Sequence, residues 1–320
     1  MGECKVISVI NWKGGVGKTT LTHHLATGLI HLSEEERVKY LGSSDIPRVL
    51  MVDTDAQCSL SIACLEISNF EDLVYRKSLM TILHLFKPFV ERDEPGLNVQ
   101  EYIMTWQVRS GNNSNYPTVH LIPSHQDLIF TDMDIAVFRR ASAFENGDLY
   151  KSQALERILQ QVKDDYDFIF IDCPPNLNYL TQNAIYASDY YLVPTLLDTL
   201  SSYGLFSLNR KVNELNDWWS RMNPKYRPTR LLGIVPNNVR EYSQEPRKSQ
   251  KLILEGLYEA HGDQVFQNYV TDGDGISRAS QVGQPVYSIM SSDKKARQQG
   301  EQMMAVLEEA LERLRLDSLG

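Results

Sequence analysis

The residues best suited to chemistry in this chain are Trp12-Lys13-Gly14-Gly15-Val16-Gly17-Lys18-Thr19-Thr20. They follow the apolar run Val6-Ile7-Ser8-Val9-Ile10 and open a segment with helical spacing that runs to about Leu32. Glycines at a strand-to-helix junction let successive backbone N–H groups point into one concavity. The positive end of the helix adds to them, and the product is a cradle for phosphate. In such a loop Lys18 reaches the β- and γ-phosphates of a nucleoside triphosphate and the Thr19 hydroxyl serves Mg²⁺. The strict pattern G-x-x-x-x-G-K-[ST] fails at one place. Trp12 stands where the first glycine is expected, and an extra lysine, Lys13, follows it.

Two further groups are needed if the loop takes a triphosphate. One is an Asp at the C-terminal end of a buried strand, to hold Mg²⁺. Asp172, after Phe168-Ile169-Phe170-Ile171, meets that need. The other is a residue that positions an attacking water, and Val52-Asp53-Thr54-Asp55 supplies two carboxylates at the end of another strand. Ligands of parallel sheets bind at that edge. An Asp at a strand end is by itself more often a cap, but three converging on one phosphate loop favour a metal and nucleotide site.

The elements that must position these groups are legible as short apolar runs. Strands are expected at 6–10, 48–52, 119–122, 167–171, 190–194 and 231–236, with helical patterns at 151–163, 179–187 and 205–219. Alternation of this kind predicts an α/β fold: one doubly wound, mainly parallel sheet flanked by helices. No linker or repeat divides residues 1–320, so one domain is expected, with surface insertions at about 33–47 and 76–117. A final amphipathic helix carries Met303, Met304, Leu307, Ala310, Leu311 and Leu314 on one stripe. Its polar face is rich in Glu rather than Lys or Arg, which argues against a membrane-surface helix.

Composition narrows the function classes. No apolar run is long enough to span a bilayer, and the first strand begins at once, so a cytoplasmic protein without a secretory leader is expected. Cys4, Cys58, Cys64 and Cys173 show no paired spacing and read as reduced thiols. The net charge of −9 is unevenly spread. From Leu205 to Lys251 ten Lys/Arg face four acids, a local +6 that leaves −15 for the rest. That asymmetry suggests either a polyanion-facing patch or a set of solvated helix faces.

The chain resembles the ParA/MinD family of phosphate-loop ATPases, closest to its DNA-partition branch. The stretches that carry the likeness are residues 13–20, Val49-Leu50-Met51-Val52-Asp53-Thr54-Asp55-Ala56-Gln57, and Tyr166-Asp167-Phe168-Ile169-Phe170-Ile171-Asp172-Cys173-Pro174-Pro175. Weaker likenesses are His120-Leu121-Ile122-Pro123-Ser124 and Ile276-Ser277-Arg278-Ala279-Ser280. The resemblance implies ATP and Mg²⁺, with Lys13, Gly14, Gly15, Val16, Gly17, Lys18, Thr19 and Thr20 around the phosphates and Asn237 or Asn238 at the adenine. Lys13 matches a lysine that crosses to the other subunit's phosphates in an ATP-sandwiched homodimer. Lys18 completes the catalytic cations, Asp55 matches the residue that positions water, and Asp53 sits with Thr19 and Asp172 at the metal.

Expected partners are a second copy, non-specific double-stranded DNA and a ParB-like or other adaptor that stimulates slow hydrolysis, with no membrane; the location implied is the nucleoid. Arg240, Arg247, Lys248 and Lys251, with Lys294, Lys295 and Arg297, are the candidate DNA contacts. One departure stands out: the family usually has Asp-Pro-Gln-Gly after the second strand, where this chain has Asp55-Ala56-Gln57-Cys58. Competing readings are positioning of a protein cargo and an ATP-dependent ligase or synthetase on the same scaffold.

Overall fold

Each apolar run becomes a strand within a residue or two of its expected place. The strands are β1 (Lys5–Val9), β2 (Val49–Asp53), β3 (Val119–Ile122), β4 (Phe168–Asp172), β5 (Tyr190–Leu196) and β6 (Arg230–Asn237). In the computed structural model, which describes residues 3–77, 79–92, 96–139, 148–243 and 245–318, they form one sheet of order β3-β2-β4-β1-β5-β6. Every pairing in it is parallel. Side chains alternate between faces, so Val6, Leu50, Val52, Ile169 and Ile171 enter one core while Ile7, Val9, Val49, Met51, Phe168 and Phe170 enter the other. Strands buried on both faces lose the apolar–polar alternation of a half-exposed sheet, which is why they read as near-continuous apolar runs.

The helices that bear on the site are α1 (Lys18–Gly28), α2 (Ser59–Leu65), α3 (Ile82–Glu91), α4 (Leu128–Val137), α5 (Thr199–Met222), α6 (Lys248–His261) and α7 (Lys294–Asp317). The long α7 is the expected amphipathic helix, and Met303, Val306, Leu307, Ala310, Leu311 and Leu314 are buried along it. α5 starts ahead of its expected beginning, where Asp198 caps it by accepting a hydrogen bond from Ser201 N–H.

The two expected insertions differ in kind. Segment 33–47 carries a helix, Glu34–Leu41, that is capped by Ser33 and Glu36 and buries nothing. Segment 76–117 needs correction as a surface elaboration, leaving aside residues 78 and 93–95, which lie outside the described residues. Ile82, Leu85, Phe86 and Phe89 of α3 are buried in the core, as are Val99 and Tyr102 beyond it. Their spacing gives α3 one apolar face, and turn-rich neighbours at 109–115 obscured it. That later part is a small hairpin pairing the half-buried Arg109–Gly111 with the exposed Ser114–Asn115.

Candidate nucleotide-binding site

Register places the chemistry at one edge. Asp53 and Asp172 lie opposite each other on β2 and β4, and Asp172 is level with Val9 at the end of β1. From there Asn11 fixes the loop's entry: its side chain donates to the Pro194 carbonyl at 2.8 Å and accepts from Lys13 N–H at 2.9 Å. Gly15 and Gly17 are left-handed, with φ of +72° and +94°. A Cβ on Gly17 would come within 2.0 Å of the Asn237 amide, so only glycine fits there. Asn237 donates in turn to the Val16 carbonyl at 2.8 Å, so β6 holds the loop's backbone in shape. α1 starts with no acidic residue in its first turn and no side-chain cap, which leaves its first N–H groups for an anion.

Lys18 is buried, and its ammonium donates to the Lys13 carbonyl at 3.2 Å. Burial lowers its pKa, while Asp172 works in the opposite direction. Thr19 Oγ1 donates to Asp172 at 2.6 Å. Burial, then the neighbouring Asp53, drives the Asp172 carboxyl well above the ordinary carboxylate range. Asp53 is also pushed up by burial, to about 7, against the hydrogen bonds it receives. Its carboxylate accepts from Ser61 N–H at 2.9 Å, Ser61 Oγ at 2.7 Å and Asp55 N–H at 3.1 Å. Asp53 therefore anchors the start of α2, and it is Asp172 that touches Thr19.

The Asp55 loop is held from outside. Ser124 Oγ donates to the Asp55 carbonyl at 2.7 Å and Ser124 N–H to Ser61 Oγ at 3.0 Å, so the loop after β3 braces the half-buried Asp55. Cys58, where the family pattern has glycine, adopts φ +54° and is buried. That left-handed conformation is the one glycine adopts without a Cβ penalty. The four cysteines are free.

Around these groups lies a cavity of about 590 Å³, lined by the loop, Asp55, Gln57, Asn237 and Asn238 and closed by Ile276, Ser277 and Gln299. Its size suits a nucleotide. Asn238 is exposed with φ +54°, so of the two asparagines only Asn237 is fixed against the loop. Sequence reasoning missed His23 and His24 in the wall. The His24 ring accepts Val286 N–H at 3.0 Å, and its other nitrogen donates to the Thr20 carbonyl at 2.7 Å. Both His23 nitrogens lack a partner among the described residues. No set of three metal-ligating side chains occurs among the described residues. Mg²⁺ typically takes one or two carboxylates plus substrate phosphates rather than a protein cage, and the Thr19 hydroxyl on the buried Asp172 carboxylate fits it.

Residues 4–225 match a family of AAA domains. The chain belongs to that family. This AAA domain is of the ParA/MinD type of phosphate-loop ATPase. The chromosome partitioning protein ParA of Caulobacter vibrioides is 27% identical over 284 residues, covering 88% of this chain and 86% of its own. The ATP complex of a Cyanothece McdA variant superimposes over 98% of both chains with a TM-score of 0.70 at 18% identity. Cobyrinic acid a,c-diamide synthase from Mycobacterium smegmatis, with ADP and magnesium bound, covers 95% of this chain and 94% of its own, with a TM-score of 0.63 at 21% identity. At these identities the two solved structures share the fold.

Beyond the matched residues 4–225, the chain also gathers basic residues at the same edge. A two-stranded hairpin, Glu241–Tyr242 with Glu245–Pro246, brings Arg247 N–H to the Arg240 carbonyl at 2.7 Å and starts α6 with Lys248 and Lys251. Gln298 of α7 reaches Glu241 at 3.4 Å, which sets Lys294, Lys295 and Arg297 beside that corner. Arg240 pairs with Asp272 and Lys251 with Glu245, each at 3.1 Å, and Arg297 donates to the carbonyls of Met290 and Ser291. Arg247, Lys248 and Lys294 are exposed and have no ion pair among the described residues. No described helix is long and apolar enough to cross a membrane.

Proposed function

We propose that this chain is an ATP-hydrolysing partition ATPase, whose ATP-bound dimer holds DNA without sequence preference and releases it when an adaptor stimulates hydrolysis. The observation that carries the reading is the second loop lysine. Lys13 is half-exposed, and its ammonium lies outside its own phosphate cradle, on Asp198 and Ser201. A cation there can serve phosphates of a second subunit, as an arginine finger does.

In this reading the N–H groups of residues 14–20 and Lys18 bind and orient the β- and γ-phosphates. Asp55 accepts a hydrogen bond from the attacking water and holds it in line. Thr19 and Asp172 would hold Mg²⁺, which supplies charge neutralisation on the phosphate oxygens when bound. Asp53 keeps the Asp55 loop in place through α2. The fold is shared with cobyrinic acid a,c-diamide synthase, so ATP-dependent ligation is the competing reading; the basic corner beside the site favours DNA over a small second substrate. Positioning of a protein cargo would use the same cycle.

Retention on random duplex DNA tests the reading. The protein is expected to bind with ATP and Mg²⁺ and to leave with ADP, and Asp55→Ala to stay bound because the water is no longer oriented. Retention that ignores the nucleotide, or parental hydrolysis in Asp55→Ala, rejects it.

A further inference from the structure

The segment from Val265 to Ile276 runs beside the end of β6 without becoming a regular strand of the sheet. Its backbone meets β6 and the residues after it at a few places. Phe266 N–H donates to the Ile234 carbonyl at 2.8 Å, Val239 N–H to the Val270 carbonyl at 3.0 Å and Asp272 N–H to the Val239 carbonyl at 2.9 Å. Side chains of α7 supply much of the rest. Glu309 accepts Asn268 N–H at 2.9 Å, and Gln302 accepts Thr271 N–H at 3.0 Å and its hydroxyl at 2.9 Å. Gln299 does the most. Its buried carboxamide accepts Ile276 N–H at 2.9 Å and donates to the carbonyls of Thr271 at 2.9 Å and Gly273 at 3.4 Å. One amide thus ties both ends of the loop 271–276 to α7, and the tie needs a donor and an acceptor in one group. Gly275 lets the loop come this close, since a Cβ there would stand 2.5 Å from the Ala296 nitrogen.

The loop belongs to the nucleotide cavity, whose wall includes Val270, Gly273, Ile276 and Ser277. None of these carries a charge, whereas the phosphate loop offers backbone N–H groups and the Lys18 ammonium. The uncharged wall therefore suits the nucleoside half of a nucleotide rather than its phosphates. We propose that Gln299 is a positioning residue for nucleoside binding, which keeps the 271–276 loop in its binding shape before the nucleotide arrives. The proposal rests on the nucleotide site of the reading above, but on neither the dimer nor DNA. A loop that is already set costs the ligand nothing to order. A loop set in only about a tenth of the molecules weakens affinity about tenfold.

Two variants test it by different routes. Gln299→Glu keeps the side chain's size and its acceptor and removes its donors. Gly275→Ala pushes the loop off α7 and leaves the amide in place. Isothermal titration with Mg²⁺, in an Asp55→Ala background, compares ATP with inorganic tripolyphosphate, which has the phosphates and no nucleoside. For both variants the Kd for ATP should rise about tenfold, while that for tripolyphosphate stays within about twofold of the parent's. Retained tripolyphosphate binding also shows that the phosphate loop is still folded. Unchanged ATP affinity in Gln299→Glu overturns the proposal, and so does a loss that is equal for the two ligands. A parent that binds tripolyphosphate as tightly as ATP overturns it too, and leaves the phosphate loop's assignment standing. A parent that binds neither ligand rejects the nucleotide site itself, and the proposal with it.

Discussion

Around the phosphate loop, buried titratable residues pull the pH dependence of stability in opposite directions. Burial, reinforced by His24, lowers the His23 pKa well below 6.5, and burial lowers His24 to about 4. Between pH 6.5 and those values the unfolded chain binds protons that the folded chain refuses, so stability present above pH 6.5 is lost as pH falls. Asp53 behaves in reverse. Its folded pKa of about 7 exceeds the ordinary 3.8, so its contribution is full below about pH 4 and lost as pH rises through 7. The two trends overlap between pH 7 and 5, and a single titration of the parent would blur them. His23→Leu separates them, since it removes one histidine and the cost of two unpartnered nitrogens at once. Unfolding by urea should show the variant more stable at pH 7 by about 1–2 kcal/mol, and the gap should widen toward pH 5. A gap that stays constant with pH would mean that His23 is not held neutral by burial.

At the scale of elements, α3 offers the sharpest contrast between a surface insertion and a core helix. Phe86 is fully buried with Leu85 and Phe89 in the core on one side of the sheet. Phe86→Ala should cost about 3–5 kcal/mol in a urea titration, where a surface position would cost within about 0.5 kcal/mol. The sheet itself was readable because buried parallel strands are uniform apolar runs, and β1, β2 and β4 each end in or beside a chemical residue. The phosphate loop was readable because its chemistry is local: glycine, lysine and threonine act through consecutive backbone positions. What remained hidden depends on contacts between distant residues. Asp198 is 185 positions from Lys13, and Ser124 is 69 from Asp55. Neither carries a local pattern that marks its partner. Asn237 shows the intermediate case, since its place beside the site was foreseen but its bond to the loop backbone was not. α2 escaped notice because seven residues give too little periodicity to register.

For the molecule as a whole, the question is whether a chain of net charge −9 can bind a polyanion, and its geometry says where. The hairpin after β6, the start of α6 and the start of α7 meet at one corner of the sheet's C-terminal edge. Four residues of that corner are already engaged or partly so, but Arg247, Lys248 and Lys294 are exposed and without an ion pair among the described residues. Arg240 and Lys251 are poor reporters, because reversing either also frees the carboxylate of Asp272 or Glu245. Arg247→Glu with Lys248→Glu removes two cations cleanly. If the corner tracks a duplex backbone, ATP-dependent binding to random DNA should weaken, and the slope of log affinity against log salt should flatten by about 0.9 for each phosphate no longer neutralised. A dimer presenting the corner twice should show double that change, while ATP binding by the monomer stays as it was. Fluorescence anisotropy of a labelled duplex across a salt series reads both effects. If affinity and slope match the parent's, these cations are a solvated face and the DNA surface must be sought on another side of the molecule.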